Sequence, residues 1–320
     1  MADPSATRRD FLKTSLVAAV PVGAPLVASN AVAQPAAAPG SDKLTAYRDG
    51  RQIWVRWANA PLTGYRAHAT QKYPYLYPFA GPASGLSVTA ESAAPYPHHR
   101  SIFFACDRVN DGNYWQGPVE LGQIVSKGPK LGPLTPDSAE IRDECEWRKP
   151  GRPPVMTDAR KIVIRVVGTR LRWIDVTIVW TAVEDVTIAK TNHALFAVRA
   201  AADLAPAAGG RLENSQGKLG EKKTFGQPAD WCTFYNKRAG VAGNVVEGVA
   251  LLDHPLNPWK GPPWFTRDYG FISPNPFNFS DKPWQLAAGK SIQLRYRVVS
   301  YFGTPTEADL EWVCKAWLRE

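Results

Sequence analysis

The chain has few cysteines, and Cys106, Cys145, Cys232 and Cys314 stand far apart in its 320 residues. None belongs to a C-x-x-C pair, which argues against a zinc knuckle or a dithiol redox site. One disulfide could form in an oxidising compartment, but the spacing does not choose its two members. Long apolar runs are missing beyond the N-terminal segment, so we expect no membrane-spanning helix and no stable insertion into a membrane.

Compact basic motifs are missing as well, although 38 Lys and Arg outnumber 29 Asp and Glu and give a net charge of +9. The basic residues are dispersed, and the sequence contains no helix-turn-helix, zinc-finger or ribonucleoprotein motif. The basicity therefore indicates solubility and weak attraction to anionic surfaces. We predict no nucleic-acid partner.

The first 33 residues have the pattern of an export signal. The segment Arg8–Lys13 reads RRDFLK, a proline-broken apolar stretch follows over residues 16–27, and Ala31-Val32-Ala33 offers a cleavage site. These features predict a twin-arginine signal peptide over residues 1–33. An Ala/Pro linker over residues 34–43 and a single domain over residues 44–320 complete the predicted organisation. The predicted location is therefore periplasmic or extracellular.

Alternation of polar and apolar residues predicts β-strands along most of the mature chain. Residues 161–167 and 171–180 have the pattern of a hairpin joined by residues 168–170. Similar strand patterns are found at residues 51–57, 86–89, 102–105, 185–188, 194–199, 245–253 and 291–299. β-Branched and aromatic residues are frequent in these segments, and Gly and Pro separate them. This pattern favours an all-β chain folded as an antiparallel β-sandwich.

Only the C-terminal end predicts a helix. Thr306 is suited to cap it, and Leu310, Val313, Cys314, Trp317 and Leu318 form one apolar stripe. A stripe of this kind should pack on the sheet.

Candidate site residues lie in the loops between predicted strands. His98, His99 and Arg100 follow a proline-stiffened segment and precede a short apolar strand, and Asn113 and Trp115 follow that strand. Proline fixes the local backbone and the strand anchors it, so these polar groups should be held rigidly. Further polar and aromatic residues in later loops are Asn214, Glu221, Trp231, Asp253, His254, Arg267 and Asp268. Loops on a rigid scaffold are where binding and catalytic residues concentrate.

Each of these features also has a structural interpretation. A His-His pair beside a strand is more often structural than a ligand. Asp253 is suited to cap the turn that Pro255 enforces, and Arg267 and Asp268 could form an ordinary surface ion pair. The tryptophans are more typical of a core than of a binding site.

Several motifs together resemble the PmoA-like family of secreted bacterial proteins. The motifs are Pro97-His98-His99-Arg100, Asn110-Asp111-Gly112-x-x-Trp115, Glu213-Asn214-Ser215-x-Gly217, Ala229-Asp230-Trp231-Cys232, Asp253-His254-Pro255-x-Asn257-Pro258, Arg267-Asp268-Tyr269-Gly270 and Asn275-Pro276-Phe277. The resemblance extends from about Leu44 to Gly303. It implies a β-sandwich of the galactose-mutarotase-like type and a role in carbohydrate metabolism. This chain has Pro95-Tyr96 where the family has Asp-His before Pro-His-His.

The leading hypothesis is an exported protein that acts on a sugar, or on a possibly oxidised glycoside, by acid/base chemistry. Histidine suits proton transfer near neutral pH. The predicted catalytic residues are His98, His99, His254, Asp253 and Glu221. The predicted substrate-binding residues are Arg100, Asn113, Trp115, Asn214, Trp231, Arg267 and Asp268. A hydrolase, a lyase and an epimerase would use the same parts, and none of them would require a cofactor.

Two other hypotheses remain open from the sequence. His98, His99 and His254 with a carboxylate could bind a divalent metal for hydrolysis or hydration. On a strand, adjacent histidines point in opposite directions, which counts against both being ligands. Alternatively, the aromatic residues could serve a carbohydrate-binding protein without catalysis.

Overall fold

A computed structural model of the chain describes residues 42–319. The predicted signal peptide and nearly all of the predicted linker lie outside these residues, so export by the twin-arginine route stays a prediction. The described strands, in chain order, are β1 (Leu44–Asp49), β2 (Gln52–Trp57), β3 (Ala60–Arg66), β4 (Tyr75–Phe79), β5 (Ile102–Cys106), β6 (Gln123–Ser126), β7 (Lys130–Leu134), β8 (Ser138–Arg148), β9 (Met156–Val167), β10 (Leu171–Ala182), β11 (Val186–Ile188), β12 (Ala194–Arg199), β13 (Arg211–Asn214), β14 (Trp231–Lys237), β15 (Val246–Asp253), β16 (Trp264–Arg267), β17 (Phe271–Pro274), β18 (Trp284–Leu286) and β19 (Ser291–Phe302). Helix α1 covers Glu221–Thr224 and helix α2 covers Leu310–Trp317.

The strands form two large antiparallel sheets. The first has eight strands in the order β1-β2-β3-β4-β5-β12-β17-β16. The second has nine, with β13-β14-β15-β19-β10-β9-β8-β6 in order and β7 paired with β8, and β11 and β18 form a separate small sheet. The prediction of an all-β chain with an antiparallel β-sandwich is therefore confirmed.

The predicted hairpin of residues 161–180 is present as β9 and β10. Leu171 pairs with Val167 across a turn in which Gly168 has a φ of 57°, a left-handed value that favours glycine. Buried and more accessible residues alternate along β9, as expected for a strand with one face on the core. The predicted strand at residues 86–89 is wrong, because these residues form only isolated bridges at Ser87 and Thr89.

Large aromatic side chains fill the space between the two sheets. Phe104 of the first sheet lies 5.5 Å from both Trp147 and Trp180 of the second sheet, measured between ring centroids. A buried ion pair lies in the same interior, where Arg160 donates from Nε to Asp158 Oδ1 at 2.6 Å and from Nη2 to Asp158 Oδ2 at 2.9 Å. The contacts of Phe104 join the two layers of the sandwich, whereas the ion pair lies within β9.

The C-terminal helix packs on the outer face of the second sheet. Leu310, Val313, Cys314 and Trp317 are buried there against a cluster that includes Trp173. The predicted stripe is thus largely confirmed, with Leu318 exposed. The predicted cap is wrong by three residues, because Asp309, not Thr306, accepts a hydrogen bond from the Trp312 amide.

Two further predictions concern cysteine and the membrane. All four cysteines lie in the described residues, where each is buried and unpaired. Among residues 42–319, no helix is both long and apolar enough to cross a membrane.

Candidate functional site

A cavity of about 200 Å³ lies over the outer face of the first sheet. Successive residues of a strand point to opposite faces, so Phe103 points outward where Phe104 points into the sandwich. The Phe103 ring lies 4.8 Å from Trp115. We call the cavity the histidine cleft. Its lining residues are Tyr96, His98, His99, Trp115, Gln116, Asn192, His193, Phe265, Arg267, Tyr269 and Phe271.

His99 forms part of the aromatic floor of the histidine cleft. Only 4% of the residue is exposed, and its ring stacks on Phe271 with centroids 4.4 Å apart. Burial, followed by the charges of His98, Arg199 and His193, lowers the pKa of His99 to about 2. His99 is therefore neutral at any physiological pH.

His98 lies between His99 and a third histidine. Its ring is 4.5 Å from the His99 ring and 6.2 Å from the His193 ring, edge to face in both cases. Burial, followed by the charges of His193 and Arg199, lowers the pKa of His98 to about 4. A neutral imidazole of this kind offers one N–H donor and one nitrogen acceptor.

His193 is held by a buried carboxylate. Its Nδ1 lies 2.8 Å from Asp107 Oδ2, and the other oxygen of Asp107 accepts a hydrogen bond from the Thr191 hydroxyl. When Nδ1–H donates to the carboxylate, Nε2 carries the lone pair and is left for the cleft. Asp107 thus fixes the tautomer and the orientation in which His193 can accept a proton.

Arg267 is fixed on the opposite wall by one carboxylate and two rings. Its Nη1 donates to Glu221 Oε1 at 3.0 Å, and its guanidinium lies 4.4 Å from the Phe225 ring and 4.1 Å from the Phe265 ring. The second oxygen of Glu221 accepts from the Asp268 amide at 2.9 Å. The predicted catalytic Glu221 and the predicted binding residue Asp268 therefore support Arg267 from behind.

Four buried polar atoms in or beside the histidine cleft have no hydrogen-bond partner among the described residues. They are His99 Nδ1, Trp115 Nε1, and Nε and Nη1 of Arg199. Arg199 donates from Nη2 to the Ala94 carbonyl at 2.9 Å and lies 4.7 Å from the Tyr269 ring. Buried polar groups are normally satisfied in native proteins. Unsatisfied donors and acceptors at these positions favour a ligand-binding region.

A second cavity of about 230 Å³ adjoins the histidine cleft, and His98, Trp115 and Gln116 line both. Arg100 lies in this second cavity and donates to the Ser92 hydroxyl at 2.6 Å. Lys72 lines it too, and burial lowers the pKa of its amine to about 8. The structure thus brings five of the predicted site residues together in adjoining cavities: His98, His99, Arg100, Trp115 and Arg267.

Three predicted binding residues lie away from the cleft or support it indirectly. Asn113 accepts hydrogen bonds from the amides of Trp115 and Gln116, both at 3.0 Å, and so shapes the turn that presents them. Asn214 is fully buried and accepts from the Gln216 and Lys218 amides in its own loop. Trp231 packs in the cluster beneath helix α2.

The structure separates Asp253 and His254 from the other predicted site residues. His254 lies in a cavity on the outer face of the second sheet, with its ring 4.8 Å from Trp317. Asp253 is buried, accepts from Asn257 Nδ2 at 2.8 Å, and has its pKa raised to about 7 by burial. The predicted metal set of His98, His99 and His254 is therefore not assembled. Within the described residues, no three His, Cys, Asp or Glu side chains are placed to hold a metal ion.

Sequence reasoning missed the pair Asp107 and His193. Asp107 directly follows β5 and His193 directly precedes β12, and these strands pair so that Cys106 stands opposite Ala194. The only sequence feature that could have indicated this pair is that each residue is polar and adjoins a predicted strand. The pairing of the two strands, which no sequence pattern gave, brings the side chains together across 86 residues.

Acid should destabilise the fold through His99, and His99→Phe should reduce this sensitivity. The ordinary pKa of histidine is 6.5, whereas that of His99 in the folded protein is about 2. Between these two pH values the unfolded chain therefore binds more protons than the folded protein. The contribution of His99 to the free energy of unfolding is therefore fully present above pH 6.5 and falls by about 1.4 kcal/mol for each pH unit below it. Urea unfolding near pH 7 and about pH 5 should show a smaller difference for His99→Phe than for wild type, by about 2 kcal/mol.

The exposed His68 gives the matched control. His68→Phe should leave the pH dependence of wild type unchanged. An equal pH dependence in His99→Phe and wild type would contradict the assignment.

Comparison with solved structures finds a galactose 1-epimerase and an aldose epimerase homologue among the similar folds. Galactose 1-epimerase from Lactobacillus acidophilus NCFM is 8% identical with a TM-score of 0.37, covering 81% of this chain and 98% of the epimerase. An aldose epimerase homologue from C. elegans is 9% identical with a TM-score of 0.34, covering 82% of this chain and 96% of the homologue. At such low sequence identities and TM-scores, the role of no residue is transferred from these proteins to this chain.

Comparison with protein families and curated proteins gives one match. A family model described as a family of unknown function, DUF6807, matches residues 52–315. No curated protein matches the chain.

Proposed function

The chain belongs to DUF6807, a family of unknown function, and from the histidine cleft we propose an enzyme that acts on a sugar or a glycoside by acid/base chemistry. The observation that carries the proposal is the Asp107–His193 pair on the wall of the cleft. A buried carboxylate behind a histidine is the arrangement that prepares an imidazole to accept a proton.

The histidines have separate roles in the proposed reaction. His193 Nε2 accepts a proton from a substrate hydroxyl or from an attacking water, and the imidazolium that forms is stabilised by Asp107. His98 stays neutral because its pKa lies near 4, and it hydrogen-bonds a second substrate oxygen. The protonated His193 then returns its proton to the leaving or ring oxygen.

Arg267 supplies positive charge on the opposite wall. Its guanidinium is pre-oriented by Glu221 and by the Phe225 and Phe265 rings. A cation held in this way stabilises negative charge that develops on an oxygen, without the cost of reorienting during the reaction.

The remaining lining suits a sugar ring. Tyr96 and Tyr269 lie with ring centroids 4.9 Å apart, and Trp115 closes the floor. Aromatic faces pack on the C–H surface of a sugar, while the amides of Gln116 and Asn192 can hydrogen-bond its hydroxyls. A cavity with apolar rings and a few convergent polar groups is typical of small-molecule sites.

A substrate screen tests the proposal. The purified protein is incubated with a panel of free sugars, glycosides and 3-keto-glycosides, and products are followed by proton NMR. Product formation that depends on His193 supports the enzyme. Binding without product would instead identify a carbohydrate-binding protein, and neither binding nor product across the panel would overturn the proposal.

Arg267→Ala should lower kcat/KM by about tenfold to a hundredfold, because a hydrogen bond from a charged group to the developing negative charge is lost. Glu221→Gln should lower kcat/KM less, since Arg267 remains but is no longer held by a carboxylate. Steady-state kinetics on the substrate from the screen measure both. Lys222→Gln, an exposed neighbour in α1, should behave as wild type, and a wild-type kcat/KM for Arg267→Ala would remove Arg267 from the site.

A further inference from the structure

A row of basic residues crosses the outer face of the second sheet. Strand register places Lys130 opposite Arg142, Arg142 opposite Lys161, Lys161 opposite Thr177, and Thr177 opposite Arg295. Four of the five positions are cationic, on the neighbouring strands β7, β8, β9, β10 and β19. We call these five residues the basic row.

The basic row is the common floor of two adjoining cavities. One, of about 830 Å³, is lined by Lys130, Arg142, Lys161 and Thr177. The other, of about 310 Å³, is lined by Lys161, Thr177 and Arg295 and ends against the ring of Trp317. Because Lys161 and Thr177 belong to both, the two cavities form one continuous groove across the strands.

The carboxylates near the basic row are already engaged. Glu140 lies 2.6 Å from Arg142 and 3.7 Å from Lys161. Of the two carboxylates that line the larger cavity, Glu144 lies 3.9 Å from Lys127, and Asp143 accepts hydrogen bonds from the hydroxyls of Tyr65 and Ser126, both at 2.8 Å. Asp175 accepts hydrogen bonds from the buried Arg297 at 2.5 and 2.9 Å. Among residues 42–319, no carboxylate forms an ion pair with the two ends of the row, Lys130 and Arg295. The groove therefore keeps a net positive charge.

Like charges on facing strand positions lower the stability of a sheet. Lys130, Arg142 and Lys161 occupy three consecutive facing positions. Four residues further along β9 and on the same face as Lys161, Arg165 adds a further cation whose Nε is buried without a partner among the described residues. Glu140 offsets part of this repulsion, and a bound polyanion would offset the part that remains.

We propose that the basic row binds a linear acidic polysaccharide, a polyuronate, that lies across the strands. Neighbouring strands are about 4.8 Å apart, an interval close to the length of one sugar unit in an extended chain. Carboxylates of such a chain can then meet the cations on four of the five strands, with Thr177 between Lys161 and Arg295. Protein grooves that bind single-stranded nucleic acids combine positive charge with aromatic side chains on which the bases stack. None of the five residues of the basic row is aromatic. This binding does not depend on the chemistry of the histidine cleft.

Affinity measurements with defined polymers test the proposal. The full chain is titrated by calorimetry with polygalacturonate and with a neutral glucan of similar length. Polygalacturonate should bind, more weakly as salt is raised, and the neutral glucan should not. The triple variant Lys130→Gln/Lys161→Gln/Arg295→Gln should raise the apparent Kd by about tenfold or more, because three charge contacts are removed.

A charge-matched control separates the groove from general basicity. Lys237→Gln/Lys282→Gln/Lys290→Gln removes three exposed lysines elsewhere, the same number of charges as the triple variant of the groove, and should leave the Kd unchanged. Thermal unfolding confirms that the triple variant is folded, and the single variant Arg295→Gln replaces it if it is not. Absence of polygalacturonate binding, an unchanged Kd in the groove variants, or equally tight binding of duplex DNA would each overturn the proposal.

Discussion

Replacing His193 with alanine should lower kcat/KM for the sugar substrate by about 10²- to 10⁴-fold, the contribution typical of a positioned general base. The side chain is only 24% exposed, and its Nδ1 is tied to Asp107. Nε2 is therefore the nitrogen that can reach a substrate in the cleft. Steady-state kinetics with the substrate found in the screen measure the loss.

Asp107→Asn separates the positioning role of the carboxylate from a structural one. The amide can donate to Nδ1 and favour the wrong tautomer, so kcat should fall while KM stays close to wild type. Asp107→Glu should recover part of kcat, because a carboxylate is restored. The exposed His68→Ala is the matched control. Wild-type kcat/KM in His193→Ala would contradict the proposed role of this histidine.

Asp158→Asn should lower the free energy of unfolding by about 3–5 kcal/mol, the range for breaking a buried ion pair. Asp158 accepts from Arg160 through both oxygens and from Trp147 Nε1 at 2.7 Å. The side chains of Asp158 and Arg160 are 0% and 4% exposed. The asparagine variant has nearly the same shape and leaves the guanidinium buried without a counter-charge. Urea unfolding monitored by tryptophan fluorescence measures the change.

The double variant Asp158→Leu/Arg160→Met supplies the comparison for this pair. Apolar residues of similar volume avoid the cost of burying either charge, so stability should return to within about 1–2 kcal/mol of wild type. The remaining deficit reflects the lost acceptor of Trp147. A change below about 1 kcal/mol in Asp158→Asn would show that the pair is solvated in solution.

The sequence allowed the fold class and three long strands of the second sheet, β9, β10 and β19, to be predicted, because polar and apolar residues alternate clearly along these strands. The 11-residue strand β8 of the same sheet was not predicted. The β9–β10 hairpin and β19 were found within a few residues of their ends. Short strands such as β16 and β17 were missed. Each has only four residues, too few for a period of two to be recognised.

The candidate site was only partly predictable, because neighbours in sequence do not stay neighbours in space. Asp253 ends β15 in the second sheet, whereas Arg267 ends β16 in the first sheet. The chain crosses the sandwich between them, so His254 and Arg267 lie on opposite outer faces. Conversely, Asp107 and His193 meet only through the pairing of β5 with β12.

The position of β19 determines when the second sheet can finish folding. This strand is the last one among the described residues, yet it lies between β15 and β10 in the middle of the second sheet. During synthesis, β10 and β15 therefore have no partner for one edge until residues 291–302 have been made. Strands that pair only over long sequence separations form slowly, and unpaired edges favour aggregation. A chain truncated before residue 291 would therefore leave two separate half-sheets with unpaired edges.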